Sequence, residues 1–395
     1  MSKIERKVIE FVSDYFWIVL LVVGVVAGIK IRMQGMDFVA NDYLEYLQPW
    51  YETLKENCGF KGLAMDFYTY YIPYMCILAI ATYIEGIDLL LYIKVISIAF
   101  EFVCAVIAAL ICSKLLKQSA QSRTWSAVIF LILMVSPMIM LNGAYWGQCD
   151  YIYVAFALFS IWMMLSEKYN VAFIFFGIAF CFKLQTIFLL PAFLLYYICN
   201  KRFSILKFLW IPIMYCIGGL PAIIAGRPAK EVYNIYFGQA NLFPQLSMNT
   251  PNIWRFFPNM EYKDFYVWGI VLTMVIFCIL GYIVFQRKYQ LNMQAFLLIC
   301  VCSAGICVMF LPGMHERYTV LYSILAYMYF IIYDRKKIIL AVGIELITCI
   351  TYFLYLYGLE VLPFYPLLAV INLSILFYLI YDALKVLKEN QTFEE

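Results

Sequence analysis

The 395-residue chain contains a single histidine, and only 13% of its residues are charged. A histidine/cysteine metal centre needs several such ligands converging, and the thirteen cysteines show no CxxC spacing. Most of them sit inside apolar runs, where cysteine behaves as a small hydrophobe. Only Cys58 and Cys149 fall in polar stretches. A disulfide between them stays open, with two separate thiols the plainer reading. A surplus of one charge sign is missing as well. With 28 Lys and Arg against 25 Asp and Glu the net charge is +3, which suggests neither a nucleic-acid nor an acidic partner. The chain shows no low-complexity segment, no soluble appendage and no internal repeat of the kind many transporters carry. The apolar run from about 16 to 31 follows a basic N-terminus but no small-residue cleavage site follows it, so a retained first helix is expected rather than a signal peptide.

What the chain has in quantity is apolar surface. Hydrophobic residues make up 65% of it, against roughly half in soluble proteins. The expected fold class is an all-α polytopic membrane protein. A hydrocarbon core about 30 Å thick takes about 20 helical residues to cross. The candidate spans are 15–32, 88–113, 125–141, 150–166, 170–182, 186–199, 208–226, 264–285, 292–312, 318–333, 338–356 and 362–384, about twelve on this measure.

Lysine and arginine concentrate in short cytoplasmic loops of membrane proteins. Placing the clusters Lys3/Arg6/Lys7, Lys114/Lys117/Arg123, Lys201/Arg202/Lys207, Arg287/Lys288, Arg335/Lys336/Lys337 and Lys385/Lys388 on that side puts both termini in the cytoplasm. It also excludes the apolar stretch 67–84 as a span, because crossing there would invert every later loop. That stretch is expected to lie along or re-enter the outer face. The same bookkeeping splits 170–199 into two short helices meeting outside at Lys183–Gln185. The external segments are then 33–87, 142–149, 183–185, 227–263, 313–317 and 357–361. The uncommon polar residues all fall on that one side.

Several of these segments hold chemistry-bearing residues. Residues 42–54 have helical spacing of aromatic and leucine side chains, with Pro49 expected to kink the helix or start a second piece. Asp42 with Glu45 three residues on has the form of a capping box; an exposed carboxylate at the interface is the functional reading. In 142–150, Trp146 offers a flat face for a sugar ring, while Gln148 and Asp150 offer hydrogen bonds to hydroxyls; the plain alternative is a glycine turn with Asp150 capping the next helix. Lys183, beside Gln185 and between two apolar half-helices, suits a phosphate or a snorkelling lysine. The amide- and aromatic-rich stretch 237–254, with Asn249 and Asn252, suits carbohydrate contacts or an ordered turn network equally. Leu311-Pro-Gly-Met-His-Glu-Arg-Tyr318 is the sharpest signal: Arg317 can fork onto phosphate oxygens, His315 can donate one more hydrogen bond and Glu316 can orient either. Lys94, Glu101 and Glu345 lie within spans and read as internal structural polar groups.

Taken in order, Asn41-Asp-Tyr-Leu-Glu-Tyr-Leu-Gln-Pro-Trp-Tyr51, Tyr145-Trp-Gly-Gln-Cys-Asp150, Phe182-Lys-Leu-Gln-Thr-Ile-Phe-Leu-Leu-Pro191, Leu246-Ser-Met-Asn-Thr-Pro-Asn-Ile-Trp254 and Met314-His-Glu-Arg-Tyr318 resemble the motifs of the GT-C superfamily of polyprenyl-phosphate-sugar-dependent glycosyltransferases. The resemblance is to bacterial membrane enzymes related to the second mannosyltransferase of GPI-anchor synthesis. It covers residues 1–335, expected as a catalytic membrane module with external loops 33–87 and 227–263; 336–395 would add the last transmembrane helices and a short cytoplasmic tail. The resemblance implies juxtamembrane helices on the outer face and a catalytic aspartate in the first external loop, matching Asp42. Some relatives carry a DxD where this chain has Ala40-Asn-Asp42, so a metal-independent reaction is expected.

The expected activity is inverting transfer of a sugar from a polyprenyl-phosphate carrier to an acceptor hydroxyl on the outer membrane face, in a bacterial plasma membrane. Asp42 would act as general base. Lys183, Gln185, His315, Glu316 and Arg317 would hold the donor phosphate, and Trp146, Gln148, Asp150, Asn249 and Asn252 the sugar or acceptor. The acceptor would be a glycan, lipid or protein. The competing reading is a transporter or flippase of lipid-linked saccharides, which calls for polar groups across the full membrane depth rather than at one boundary.

Overall fold

The computed structural model describes residues 1–117, 120–239, 242, 244–359 and 363–391, and the chain is helical nearly throughout them. Within the loops expected to be external, residues 240, 241, 243, 360 and 361 lie outside the described residues, as do residue 362 of the last expected span and the tail 392–395. Helix α1 (Lys3–Met33) begins at a true capping box, in which Ser2 and Glu5 exchange side-chain and backbone hydrogen bonds. At about 1.5 Å per residue, its 31 residues outreach the bilayer core. Val19, Val22, Val23 and Val26 are exposed, a surface suited to lipid rather than water. Its buried residues are Gly24, Gly28 and Arg32.

The outer region follows as short pieces: a π-helical turn (Tyr43–Leu47), α2 (Gln48–Glu56), a 3-10 turn (Gly59–Ala64) and α3 (Ile72–Ala81). Pro49 sits in the first turn of α2, where its missing N–H costs nothing, so it starts a second helical piece. With ten residues, or about 15 Å, α3 is too short to cross. Next come α4 (Leu89–Leu115), α5 (Ala120–Val135), the single turn α6 (Pro137–Met140) and a second π-helical turn (Leu141–Tyr145), bent by 45° from α5. Helices α7 (Asp150–Leu165) and α8 (Tyr169–Phe182) pack side by side. Lys183 then adopts an extended conformation that breaks the chain before a 3-10 turn (Leu184–Leu189) and α9 (Leu190–Asn200). The remainder is α10 (Trp210–Ala225), α11 (Ala229–Gln239), strand β1 (Ser247–Met248), α12 (Tyr262–Gln286), α13 (Met293–Phe310), strand β2 (Met314–His315), α14 (Val320–Tyr333), α15 (Ile338–Leu356) and α16 (Tyr365–Gln391).

The protein is therefore an all-α membrane protein. Each of the twelve expected spans coincides with helix, yet by length and composition seven helices among the described residues can cross a bilayer, or eight with the bent pair after α4. The reason is length: α7, α8 and α14 have 16, 14 and 14 residues, or about 24 Å and 21 Å.

Packing follows the small residues. A Cβ on Gly24 would lie 3.1 Å from the Phe130 ring, and one on Gly28 2.8 Å from Met134 Cε. This glycine pair, four residues apart, lets α1 lie close against α5, the dispersion-driven contact on which membrane helices rely. Helix α13 is the central post, with every residue from Ala295 to Phe310 buried. The charges within spans are spent internally. Arg32 Nε donates to Glu101 at 2.5 Å and Arg32 Nη1 to the Met134 carbonyl at 2.7 Å, tying α1 to α4 and α5. Lys94 Nζ donates to the carbonyls of Gly35, Met36 and Phe38 at 2.5–3.0 Å, closing the turn that leads to Asp42. Glu345 accepts from Ser136 and Tyr327. Cys58 is exposed, Cys149 is buried, and both are free thiols.

A second, smaller core of aromatic residues sits over the main bundle. Trp50, Tyr71 and Tyr74 join Val232 and Tyr236 of α11 there, and the Tyr71 and Tyr215 rings stack at 4.1 Å. This cap fixes the first loop to α10 and α11 and sets where Asp42 emerges.

Candidate functional site

Two π-helical turns, one starting at Tyr43 and one ending at Tyr145, flank a meeting point of three distant segments. Such turns widen a helix by one residue and recur where side chains are re-aimed. Asp42 stands at the first. Its backbone is already helical and its carboxylate makes no capping bond, so the capping-box reading is overturned. The carboxylate points across the fold. Oδ2 accepts from Trp146 Nε1 at 3.0 Å and from Gln148 Nε2 at 2.7 Å, and Oδ1 accepts from the Tyr355 hydroxyl at 2.6 Å. Asp42 is half-buried. A carboxylate offers about four acceptor positions; with three filled, one is left for an incoming hydroxyl.

Gln148 is the hinge of the site. Its amide nitrogen donates to a carboxylate that can only accept, and its carbonyl oxygen accepts from the Arg317 guanidinium, which can only donate. The two partners therefore fix the amide's orientation. Tyr70 adds a longer bond to the same oxygen, at 3.4 Å. The Arg317 guanidinium lies 5.6 Å from the centroid of the Trp146 ring, a cation–π distance. Its Nε is buried and has no hydrogen-bond partner among the described residues.

Beyond Gln148 lies a small cavity of about 90 Å³, lined among others by Tyr70, Lys183, Gln185, His315, Arg317 and Tyr318. Four of the five residues expected to hold a donor phosphate thus share one cavity. Burial, then the neighbouring Arg317 and Lys183 cations, pushes His315 well below the usual imidazole range, so it is neutral at pH 7. Glu316, the fifth, turns away from this role. Its carboxylate is buried, its oxygens make no hydrogen bond among the described residues, and its nearest charge-capable partner is His315 Nδ1 at 4.0 Å. Burial pushes its carboxyl up to about 8.

Four of the expected sugar contacts are corrected, the first being Gln148, 3% exposed and with both amide ends engaged by Asp42 and Arg317. Trp146 is 1% exposed; its indole stacks on Tyr355 at 4.6 Å and meets Tyr352 edge-on at 5.3 Å, so its face is taken and its role is to orient Asp42. Asp150 is fully buried and pairs with Lys183 Nζ at 2.7 Å while accepting from Asn142 Nδ2 at 2.9 Å. It holds the lysine instead of a hydroxyl. Asn252 is also fully buried: its Oδ1 accepts from the Trp254 amide at 3.2 Å, and its Nδ2 donates to the Val308 carbonyl at 3.3 Å. For Asn252 the ordered-turn reading holds. Asn249 takes a left-handed conformation at φ 59 and bridges to His315, directly after the pairing Ser247 with Met314 and Met248 with His315.

That two-residue parallel pairing brings the 237–254 stretch onto the histidine motif. Tyr355 and Tyr352 come from α15, beyond all the motifs. Among 34 tyrosines no local signal marks these two; only the fold brings both to Trp146 and Tyr355 to Asp42. Neither a comparison with protein-family models nor one with curated proteins gives a match.

Proposed function

We propose that this chain is a GT-C-type inverting glycosyltransferase that transfers a sugar from a polyprenyl-phosphate carrier to an acceptor hydroxyl on the outer face of a bacterial plasma membrane. Asp42 takes the proton of the acceptor hydroxyl as that oxygen attacks the anomeric carbon. The bond from that carbon to the phosphate oxygen breaks on the opposite face, and the lipid phosphate leaves with the electron pair. Arg317 and Lys183, with a hydrogen bond from neutral His315 or Gln185, stabilise the charge that develops there. No metal is assigned to this step, and the short apolar helices α7, α8, α9 and α14 complete a set of about twelve membrane segments with termini in the cytoplasm.

The observation that carries the reading is the link from Asp42 through Gln148 to Arg317. A carboxylate held by three donors is thereby joined, through Gln148, to an arginine that lines the cationic cavity, which supports a base acting together with a leaving-group site. A second feature supports a lipid donor. An apolar cavity of about 630 Å³ lies between α9, α12, α13 and α16, with Ile187, Leu190 and Leu311 among its lining residues. Those residues directly follow Lys183–Gln185 and precede His315, so a polyprenyl chain seated there would present its phosphate to the cationic cavity.

The test is incubation of the purified protein with a polyprenyl-phosphate sugar and measurement of released lipid phosphate. D42N should fold normally and release none above background. Substantial release by D42N removes Asp42 as base, and movement of intact lipid-linked sugar across a bilayer without release would establish transport instead.

A further inference from the structure

A further cavity lies apart from the one that Lys183 and Arg317 line. A cleft of about 770 Å³ opens between the 244–263 loop and the start of α16, within the range of about 300–1,000 Å³ typical of ligand sites. Its walls are aromatic, from Trp254, Phe257, Tyr262 and Tyr365, with Arg255 among them and a Glu261–Lys263 ion pair of 2.8 Å at the exposed rim. With that pair balanced, Arg255 leaves the cleft with one net positive charge.

Arg255 is built into place. Its Nε donates to the Thr250 carbonyl at 3.2 Å, and its guanidinium lies 4.8 Å from the centroid of the Tyr365 ring. Its Nη2 is buried and has no hydrogen-bond partner among the described residues. A buried guanidinium N–H without an acceptor is costly, and Arg255 lines the cleft, so an anion bound there that draws the guanidinium toward it would relieve that cost. The cleft is coupled to the reaction centre through the backbone. Thr250 Oγ1 donates to the Met314 carbonyl at 2.7 Å, the Gly313 amide donates to the Leu246 carbonyl at 3.0 Å, and β1 pairs with β2 at His315.

We propose that this cleft is an acceptor site for a saccharide bearing a carboxylate or a phosphate, with Arg255 binding the anion and the exposed Phe257 ring stacking against a sugar ring. The assignment as acceptor site rests on the glycosyl-transfer reading above. Planar aromatic faces and one fork of N–H donors are the features that recognise an anionic sugar rather than a neutral one.

The test uses the full chain in lipid nanodiscs and calorimetric titration with three probes: a disaccharide containing glucuronic acid, a hexose 6-phosphate, and the neutral disaccharide cellobiose. At least one anionic probe should bind about tenfold or more tightly than cellobiose, and which one does so distinguishes carboxylate from phosphate. R255Q should abolish the preference, while F257A, at an exposed position, should weaken charged and neutral probes by a similar factor. Equal binding of all three probes by the unaltered protein, which needs no variant to fold, overturns the proposal, and so does a preference surviving in folded R255Q. Binding is read without turnover. Asp42-dependent release of lipid phosphate with no anion preference therefore overturns this proposal alone, whereas an Arg255-dependent preference that persists in D42N supports the anionic-saccharide site, and absence of transfer then removes only its role as acceptor site.

Discussion

The hydroxyl of Tyr355 donates to Asp42 Oδ1 at 2.6 Å across 313 positions of sequence. Tyr355 also stacks on Trp146, so one α15 side chain braces both the carboxylate and the indole that orients it. Y355F keeps the stack and loses the bond. A hydrogen bond to a charged group contributes about 1.5–3 kcal/mol, so kcat should fall about tenfold to a hundredfold with donor KM unchanged. D42N should lose about 10²–10⁴-fold, the usual range for a general base. Steady-state kinetics of the two variants checks this; wild-type kcat in Y355F would remove the positioning role.

Gln148 joins Asp42 to Arg317 in the lining of the cationic cavity, and Q148L cuts that link while keeping the volume similar. Arg317 loses an acceptor and Asp42 a donor, so kcat should fall and donor KM should rise together. R317A should mainly raise donor KM. Kinetics at varied donor concentration separates the two patterns, and a pure kcat effect in Q148L would mean that Arg317 is held independently.

Lys183 and Asp150 form a buried pair at 2.7 Å. Breaking such a pair leaves an uncompensated charge and costs about 3–5 kcal/mol. K183M should therefore accumulate poorly or melt well below the parent protein, and adding D150N should restore much of the stability. Lipid phosphate release should stay low in the double variant, because the phosphate contact proposed for Lys183 would still be missing. A stable single variant would show that the pair is not structural.

Glu316 carries a stability signature in pH. Its carboxyl is raised from 4.5 to about 8 by burial, so the folded state binds more protons than the unfolded state between those values. Its contribution is full below about pH 4.5 and lost as pH rises through about 8. The melting temperature should fall by a few degrees, about 4 °C or more, between pH 5 and pH 8, and E316Q should flatten that slope. Thermal scans at fixed ionic strength read it directly; an unchanged slope in E316Q refutes a neutral buried Glu316 in the native state.

The sequence alone determined what depends on near neighbours, bulk apolarity or the placing of Lys and Arg clusters: where helices run, that 67–84 is not a full span, that Pro49 kinks a helix or starts a second piece, that two short helices meet at Lys183–Gln185. It also marked Lys183, Gln185, His315 and Arg317, because charged and amide groups at an apolar boundary stand out. Tertiary structure decided how those groups are used. Asp42-x-x-Glu45 satisfies the local capping pattern, yet its carboxylate is drawn away by donors 104, 106 and 313 residues distant. Trp146, Asp150 and Asn252 looked available to a ligand because nothing in their neighbourhood shows what covers them; Tyr355, Lys183 and the α13 backbone do. Hydrogen-bond and stacking partners that far apart leave no trace in local periodicity. They exist only once α1, α4 and α5 have closed around Arg32–Glu101 and α15 has come to lie against the Trp146 turn.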